Sequence, residues 1–279
     1  MQDKELSKLH NALLFIMDEI DRICSENNLK YSLTGGSLIG AVRHKGFIPW
    51  DDDMDIAMLR EDYEKFRVIC QNKLKPEFMW QDSECDKDYP YSFGKVVLNN
   101  TQYKSLHHEN ETWQKGIYVD VFPLDNVPNS KLERNIQGYK NFLLIKMLEC
   151  KTGIDVSKKS NAKIISFLIL QVVCRLFSFT FLVKVLHKNI TKYRYVNSPR
   201  VCNFGGYYGF KKETTYKAYF MDVIRVPFKD REYNIISRYD EFLTSVYGNY
   251  MELPPIEKRH THEVAVLDFG PYVDYFCDN

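Results

Sequence analysis

The chain has 279 residues, 44% of them hydrophobic, with 38 basic side chains against 37 acidic ones and a formal net charge of +1. That is enough apolar material for one sizeable core, or for a core with an extension, and the charge balance leaves no electrostatic footprint for a nucleic acid. Seven cysteines, Cys24, Cys70, Cys85, Cys150, Cys174, Cys202 and Cys277, are scattered without a C-x-x-C pair, which fits reduced thiols in a cytoplasmic protein better than a disulfide frame or a zinc site.

The first 26 residues lack the charged start, apolar block and cleavage site of a signal peptide. Leu6, Leu9, Leu13, Ile16, Ile20 and Ile23 recur at helical spacing, so an amphipathic helix packed on the domain is expected there. The run LTGGSLIGAVRHKGFIPWDDDMDIAMLR, residues 33–60, follows. In it Gly35 and Gly36 allow close backbone approach, Ser37 can cap a short helix over Leu38–Arg43, and a helix N-terminus favours an anion. Asp51, Asp53 and Asp55 alternate along what reads as a strand, so their carboxylates project the same way while Asp52 points opposite. Such a row repels itself unless it holds a cation, and hard oxygen donors select Mg²⁺ or Mn²⁺. The bland reading is a solvated acidic turn. Alternation with apolar residues, and Phe47, Ile48 and Trp50 just ahead, weigh against it.

Further on, Glu61–Gln71 reads as a helix, and Val96–Tyr103 and Gly116–Phe122 read as strands. Asp120 interrupts the apolar run GIYVDVF, and a buried strand seldom carries an unpaired charge, so it is the candidate third carboxylate. Asp125, in an expected turn over Pro123–Asn126, suits a structural pairing instead. Lys95 stands between apolar neighbours in FGKVV and is the stronger phosphate contact; Arg43, His44 and Lys45 also lie near the acidic run.

Two helices are expected in the middle of the chain, over about Leu132–Glu149 and Ala162–Lys192, with a boundary in Lys151–Lys163. Residues 164–186 approach the length of a membrane span, but a central Arg175 would cost about 2.5–3.5 kcal/mol. With Gln171 and Ser178, Arg175 makes a polar stripe, which favours a helix buried by its neighbours. The alternative is a peripheral membrane contact, with Lys158, Lys159, Lys163, Lys188, Lys192 and Arg194 facing anionic lipid at the inner face of the membrane. Val201–Tyr208 has a Gly-Gly break with Tyr-rich flanks and is read as a strand or loop returning to the core. Arg231–Tyr247 reads as a helix ended by Gly248, and Lys258, Arg259, His260 and His262 form a second basic cluster. The resulting division is residues 1–150 as catalytic core, 151–200 as a helical region and 201–279 as a returning segment.

The run GGSLIGAVRHKGFIPWDDDMDIAM resembles the hallmark of the LicD/fukutin-type phosphotransferases. FGKVVLNNT around Lys95, IYVDVFPLD around Asp120 and YGNYMELPPIEKRHTH extend the resemblance over most of the chain. It implies an α/β (α+β) fold, a nucleotidyltransferase-like mixed sheet flanked by helices with a helical insertion or extension in the second half. It also implies transfer of a phospho-alcohol, such as phosphocholine, phosphoribitol, phosphoglycerol or phosphoethanolamine, from a CDP-linked donor to a hydroxyl of a cell-surface glycan or its lipid-linked precursor. By the resemblance Asp53, Asp55 and Asp120 are catalytic and hold the metal with Asp51, and Asp120 is also a candidate general base. Gly35, Gly36, Ser37, Arg43 and Lys95 would bind the donor. The gap between the glycines and the aspartate pair is longer than the generic nucleotidyltransferase pattern, as it is in this family. Two other classes are an authentic nucleotidyltransferase moving NMP from an NTP, and an inactive scaffold; retention of Asp51, Asp53, Asp55 and Asp120 speaks against the scaffold.

Overall fold

In the computed structural model, which describes residues 3–106, 113, 115–151, 170–259 and 261–276, the first element is the long helix α1 (Asp3–Glu26). Its buried face carries Leu9, Leu13, Ile16, Ile20 and Ile23 at the expected spacing, with Leu14 and Met17 beside them. The residues it packs on come from far along the chain. Asn11 donates its side-chain N–H to the Phe276 carbonyl at 3.2 Å, and the Phe15 ring lies 5.9 Å from that of Phe276.

Eight short strands follow: β1 (Ser32–Leu33), β2 (Asp55–Leu59), β3 (Phe78–Gln81), β4 (Gly94–Leu98), β5 (Gln102–Ser105), β6 (Tyr118–Asn126), β7 (Arg200–Cys202) and β8 (Thr214–Tyr216). Seven of them form one sheet in the order β1-β2-β6-β4-β3, with β7 on the far end of β6 and β8 on β7. β2 and β6 run parallel and every other pairing in the sheet is antiparallel. The strand β5 pairs instead with β11 (Val264–Asp268), and β9 (Val223–Phe228) with β10 (Arg231–Ile236) makes a separate hairpin. The helices α2 (Gly35–His44), α3 (Arg60–Lys73), α4 (Lys131–Glu149), α5 (Phe179–Ile190), α6 (Phe210–Glu213) and α7 (Tyr239–Tyr247) flank these strands. This is the expected mixed sheet with flanking helices.

The main core draws on residues from Leu9 to Phe276. A smaller one joins α4 to α5 through Leu144, Leu148, Leu182, Leu186 and Ile190, with Val127 and Phe204 beneath. The helical second half thus has its own apolar centre.

Several local readings change. α2 starts at Gly35 with Thr34 as its N-cap residue, so Ser37 lies inside the helix rather than capping it. Its hydroxyl is used elsewhere, as described below. Only Asp55 of the alternating aspartates is in a strand; Asp51 and Asp53 precede β2 in irregular backbone. The expected turn at Pro123–Asn126 is the second half of β6, where Pro123 sits on the parallel β2 pairing and Asp125 and Asn126 take β7 as partner. Val96–Tyr103 is two strands, broken at Asn100, whose φ is +61°. Arg231–Tyr247 divides into β10 and α7, because Lys229 at φ +54° reverses the chain and lets Arg231–Ile236 pair with β9. Gly248, at φ +70°, ends α7 as expected.

The expected long helix over Ala162–Lys192 is interrupted. Helical residues reach 174, and α5 begins afresh at Phe179, with the Ser178 hydroxyl accepting the Phe181 N–H at 3.1 Å. Ser178 is therefore a cap and not part of a polar stripe. No helix among the described residues is long and apolar enough to cross a membrane. Lys158, Lys159, Lys163, His260, Cys277 and most of the boundary segment 151–163 lie outside the described residues.

Candidate active site

The register of three strands builds the site. Asp55 on β2 stands opposite Asp120 on β6, and Asp120 stands opposite Lys95 on β4, so the three side chains share one level across the middle of the sheet. The Lys95 ammonium is buried, 3.0 Å from Asp120 Oδ1 and 3.1 Å from the centre of the Tyr118 ring. A lysine buried in a central strand is costly without such partners. Burial lowers its pKa, and the neighbouring Asp120 carboxylate works against that.

Backbone bonds fix Asp55 from both sides. Its N–H donates to Ser37 Oγ at 2.9 Å and its carbonyl accepts the Thr34 N–H at 3.0 Å, which ties the N-terminus of α2 to the head of β2. The two glycines are required by this closeness. A Cβ at Gly36 would collide with the Asp51 carboxylate, and one at Gly35, already at φ +58°, would come within 3.3 Å of Asp55 Oδ2. Asp51 and Asp55 therefore lie against the positive end of the helix, where carboxylates are stabilised.

Four half-buried carboxylates in one place cannot all ionise comfortably. Burial and the charges of Asp53 and Asp52 push Asp51 up to about 8. Burial raises Asp53 to about 6, with Asp52 and Asp120 adding to the rise and His262 and Lys95 opposing it. Asp55 is raised well above the usual carboxylate range by burial and by Asp53, Asp120 and Asp51. Asp120 is raised by burial despite Lys95. Among the described residues no three His, Cys, Asp or Glu side chains are gathered closely enough to hold a metal ion by themselves. The donors are nonetheless all oxygens short of positive charge, which fits a hard divalent ion that takes one or two carboxylates and completes its shell with water and phosphate oxygens.

Asp52 differs from this group in having hydrogen-bond partners of its own. It is buried, accepts a hydrogen bond from the Tyr103 hydroxyl at 3.1 Å, and lies 2.7 Å from His262 Nδ1. Burial opposes its ionisation, but these hydrogen bonds hold its pKa below the ordinary value, while the bond to Asp52 lifts His262 to about 9. Asp125 is structural: Arg60 donates to its two carboxylate oxygens at 2.8 and 2.6 Å. Arg43 turns toward the carboxy-terminal part of the chain, donating to the Tyr250 and Glu252 carbonyls at 2.7 and 3.2 Å and through Nε to His44.

His10 and Tyr118 also serve the site and escape the sequence reading. His10 Nε2 lies 2.7 Å from the Asp51 carbonyl, which can only accept, so that nitrogen carries the proton. Burial lowers its pKa to about 4 and keeps the ring neutral, stacked on Phe47. The only sequence signal for His10 is a polar residue on the apolar face of α1. Tyr118 shares a strand face with Asp120 two residues on, a period-2 relation that could have marked it.

A glycine-opened helix N-terminus beside half-buried carboxylates on neighbouring parallel strands is the arrangement of a nucleotidyltransferase-like domain. Residues 28–143 match the family described as LicD/FKTN/FKRP, nucleotidyltransferase domain. The chain is similar to the lipopolysaccharide cholinephosphotransferase LicD of Haemophilus influenzae, with 29% identity over 271 residues that cover 95% of this chain and 98% of that protein. It is 45% identical over 117 residues to the uncharacterized protein RP689 of Rickettsia prowazekii, covering 42% of this chain and 40% of that one. A 100-residue stretch is 32% identical to the human ribitol 5-phosphate transferase FKRP, covering 34% of this chain and 17% of FKRP. Residues 28–143 thus match the LicD family, and along nearly its whole length the chain is similar to a transferase of that type.

Proposed function

We propose that the protein transfers a phospho-alcohol, phosphocholine before phosphoribitol, phosphoglycerol or phosphoethanolamine, from a CDP-activated donor to a hydroxyl of a cell-surface glycan or its lipid-linked precursor. The observation that carries this reading is the single level of Asp55, Asp120 and Lys95 beside the glycine-opened end of α2. Similarity to a cholinephosphotransferase along nearly the whole of both chains supports phosphocholine as the group moved.

The chemistry is in-line displacement at phosphorus. The acceptor oxygen forms a bond to the phosphorus bearing the alcohol, the bond from that phosphorus to the CMP oxygen breaks, and CMP leaves. Asp120 accepts the hydroxyl proton, a role suited to a carboxylate whose pKa is raised and which lies at the site's centre. Lys95 and the N–H groups opening α2 meet the negative charge of the donor phosphates. Asp53, Asp55 and Asp120, supported by Asp51, are the residues that would hold Mg²⁺ or Mn²⁺, which when bound neutralises pyrophosphate charge and polarises the phosphoryl oxygens. Ser37 positions Asp55, and Arg43 secures the segment that lies over the C-terminal end of α2.

The protein would work on the cytoplasmic side, with peripheral contact to the inner face of the membrane through the region of residues 170–190. Leu176 and Phe181 are exposed there, and residues 170–200 contain Arg175, Lys184, Lys188, Lys192, Arg194 and Arg200 but no acidic side chain. Co-sedimentation with anionic vesicles should fall in a folded Leu176→Gln/Phe181→Gln variant; unchanged binding would remove the contact.

The decisive experiment is a donor panel. Incubation with CDP-choline, CDP-ribitol, CDP-glycerol, CTP and ATP should release CMP from a CDP-alcohol. Pyrophosphate released from an NTP, with no CMP from any CDP-alcohol, would establish NMP transfer instead.

A further inference from the structure

Two arginines from opposite ends of the chain meet beside the acidic loop. Arg43 stands in the last turn of α2. Gly36, Gly40 and Arg43 share one face of that helix, at i, i+4 and i+7, and the loop that leads to the aspartates runs along it. A Cβ at Gly40 would strike the Gly46 carbonyl oxygen, just as one at Gly36 would strike Asp51. Arg259 reaches the same loop from the carboxy-terminal segment, its Cζ 5.2 Å from the centre of the Trp50 ring. Three residues on, His262 Nδ1 lies 2.7 Å from Asp52 Oδ1, so residues 259–262 lie beside residues 50–52.

Both guanidiniums are oriented by carbonyls of one short segment. Arg43 Nη1 donates to Tyr250 and Glu252, and Arg259 Nε donates to the Pro254 carbonyl at 2.7 Å. Arg43 Nε donates to His44, which burial and the Arg43 charge hold toward its neutral form. Arg43 Nη2 and both Nη atoms of Arg259 have no partner among the described residues, and no carboxylate of those residues pairs with either side chain. Burial lowers the pKa of Arg43, and the charge of Arg259 lowers it further. Two cations thus press on one another with no anion between them, a repulsion that a bound oxyanion relieves.

We propose that Arg43 and Arg259 form a fork for a phosphate group carried by the acceptor. This rests on the reading of the protein as a CDP-alcohol phosphotransferase and adds that its glycan acceptor is itself phosphorylated. Two guanidiniums with open Nη atoms match the nearly two negative charges of a phosphate monoester, whereas a carboxylate would neutralise only one of them. Arg43 is seven residues beyond Gly36 on α2, about 10 Å at the helical rise. The donor phosphates belong at the Gly36 end of the helix, and two phosphates joined through a single oxygen cannot also reach the fork. A phosphate held there therefore comes from the second substrate, and holding it places the acceptor hydroxyl near the carboxylates. Arg43 then contacts the acceptor and not the donor.

Binding is testable without turnover. With divalent ions chelated, the carboxylates repel anions from the donor site, and glucose 1-phosphate and glucose are each titrated into the whole protein by calorimetry. The phosphate ester should bind at least about tenfold more tightly, the scale of one hydrogen bond to a charged group. Arg259→Gln and Arg43→Gln should each remove most of that preference, and Arg259→Lys, which keeps the charge without the fork, should keep part of it. Melting curves of the variants separate loss of the fork from loss of the fold, since Arg259→Gln gives up a single bond to the protein. Equal affinity for the two ligands in the wild-type protein, or a preference that both glutamine variants retain, overturns the fork. Excess CMP should leave glucose 1-phosphate in place; displacement by CMP would give the site to the donor nucleotide and overturn its assignment to the acceptor. The parent reading fails in a different experiment, when the wild-type protein releases CMP from none of the CDP-alcohols.

Discussion

Asp120 has an acid-base character set by its neighbours, and the same holds for each carboxylate in the site. Asp53→Ala, Asp55→Ala and Asp120→Ala should each lower CMP release by at least about 100-fold, the scale of losing a group that stabilises transition-state charge. Undiminished turnover in any of them would remove that residue from the chemistry. The raised pKa values carry a second consequence, for stability. A carboxylate raised in the folded state holds a proton that the unfolded chain releases, so its stabilising contribution is complete below the ordinary carboxylate range. It is lost as pH rises through about 6 for Asp53 and about 8 for Asp51. Without divalent ions, the wild-type protein should therefore lose melting temperature relative to Asp51→Asn between pH 5 and 8. A loss of about 1 kcal/mol corresponds to roughly 2–4 °C in a domain of this size. Mg²⁺ should restore more of the wild-type melting temperature at pH 8 than at pH 5. Parallel melting curves of the two proteins, with no effect of Mg²⁺ at either pH, would contradict a crowded carboxylate site.

Among elements, the junctions matter more than the strands themselves. α3 is pinned to β6 by the two hydrogen bonds from Arg60 to Asp125, both side chains being buried. Arg60→Ala leaves the Asp125 charge without a partner and should cost about 3–5 kcal/mol in urea unfolding. Replacing both residues by apolar ones of similar size should cost much less, which separates loss of the pair from loss of packing. The α2–β2 junction is more delicate. Ser37→Ala removes the acceptor for the Asp55 N–H and should cost about 0.5–1.5 kcal/mol, with a larger proportional loss of turnover because Asp55 is displaced. Stability and activity falling in step would show that Ser37 has no positioning role. These junctions also mark where sequence reading stops. The clustered Asp51, Asp53 and Asp55, the glycines and the interrupted run around Asp120 are local patterns legible in the sequence, although only Asp55 lies in the strand that the alternation predicts. Arg60 reaching Asp125, and His262 reaching Asp52 across 210 residues, have no local signature. Arg231–Ile236 reads as the start of a helix because it carries no strict alternation, and pairing with β9 decides its structure.

At the scale of the molecule, the arginine fork shows the same limit. Arg43 reads separately as a cation near the acidic run and Arg259 as part of a basic cluster, and only the return of the carboxy-terminal segment past α2 brings them together. The family match spans residues 28–143 and leaves out α1, the hairpin and β11. Those omitted elements are structural for the site. His10 of α1 holds the Asp51 carbonyl, and His262, just before β11, holds Asp52. Removing residues 269–276 would take away Phe269 and Phe276, both buried. At about 1.5–3 kcal/mol for each buried phenylalanine, that loss is a large part of a typical domain's stability. The truncated protein should unfold at markedly lower urea; an unchanged midpoint would show that α1 holds its place without them.

The bond from Asn11 to the Phe276 carbonyl spans 265 residues. α1 is synthesised about 265 residues ahead of part of the surface on which it rests. Contacts of such separation close late, after most of the chain entropy has been lost. During synthesis the apolar face of α1 must therefore wait uncovered while the sheet assembles behind it, and the carbonyl that His10 secures at the acidic loop is fixed only when that helix settles. The order of folding thus makes the setting of the acidic loop a late event in folding.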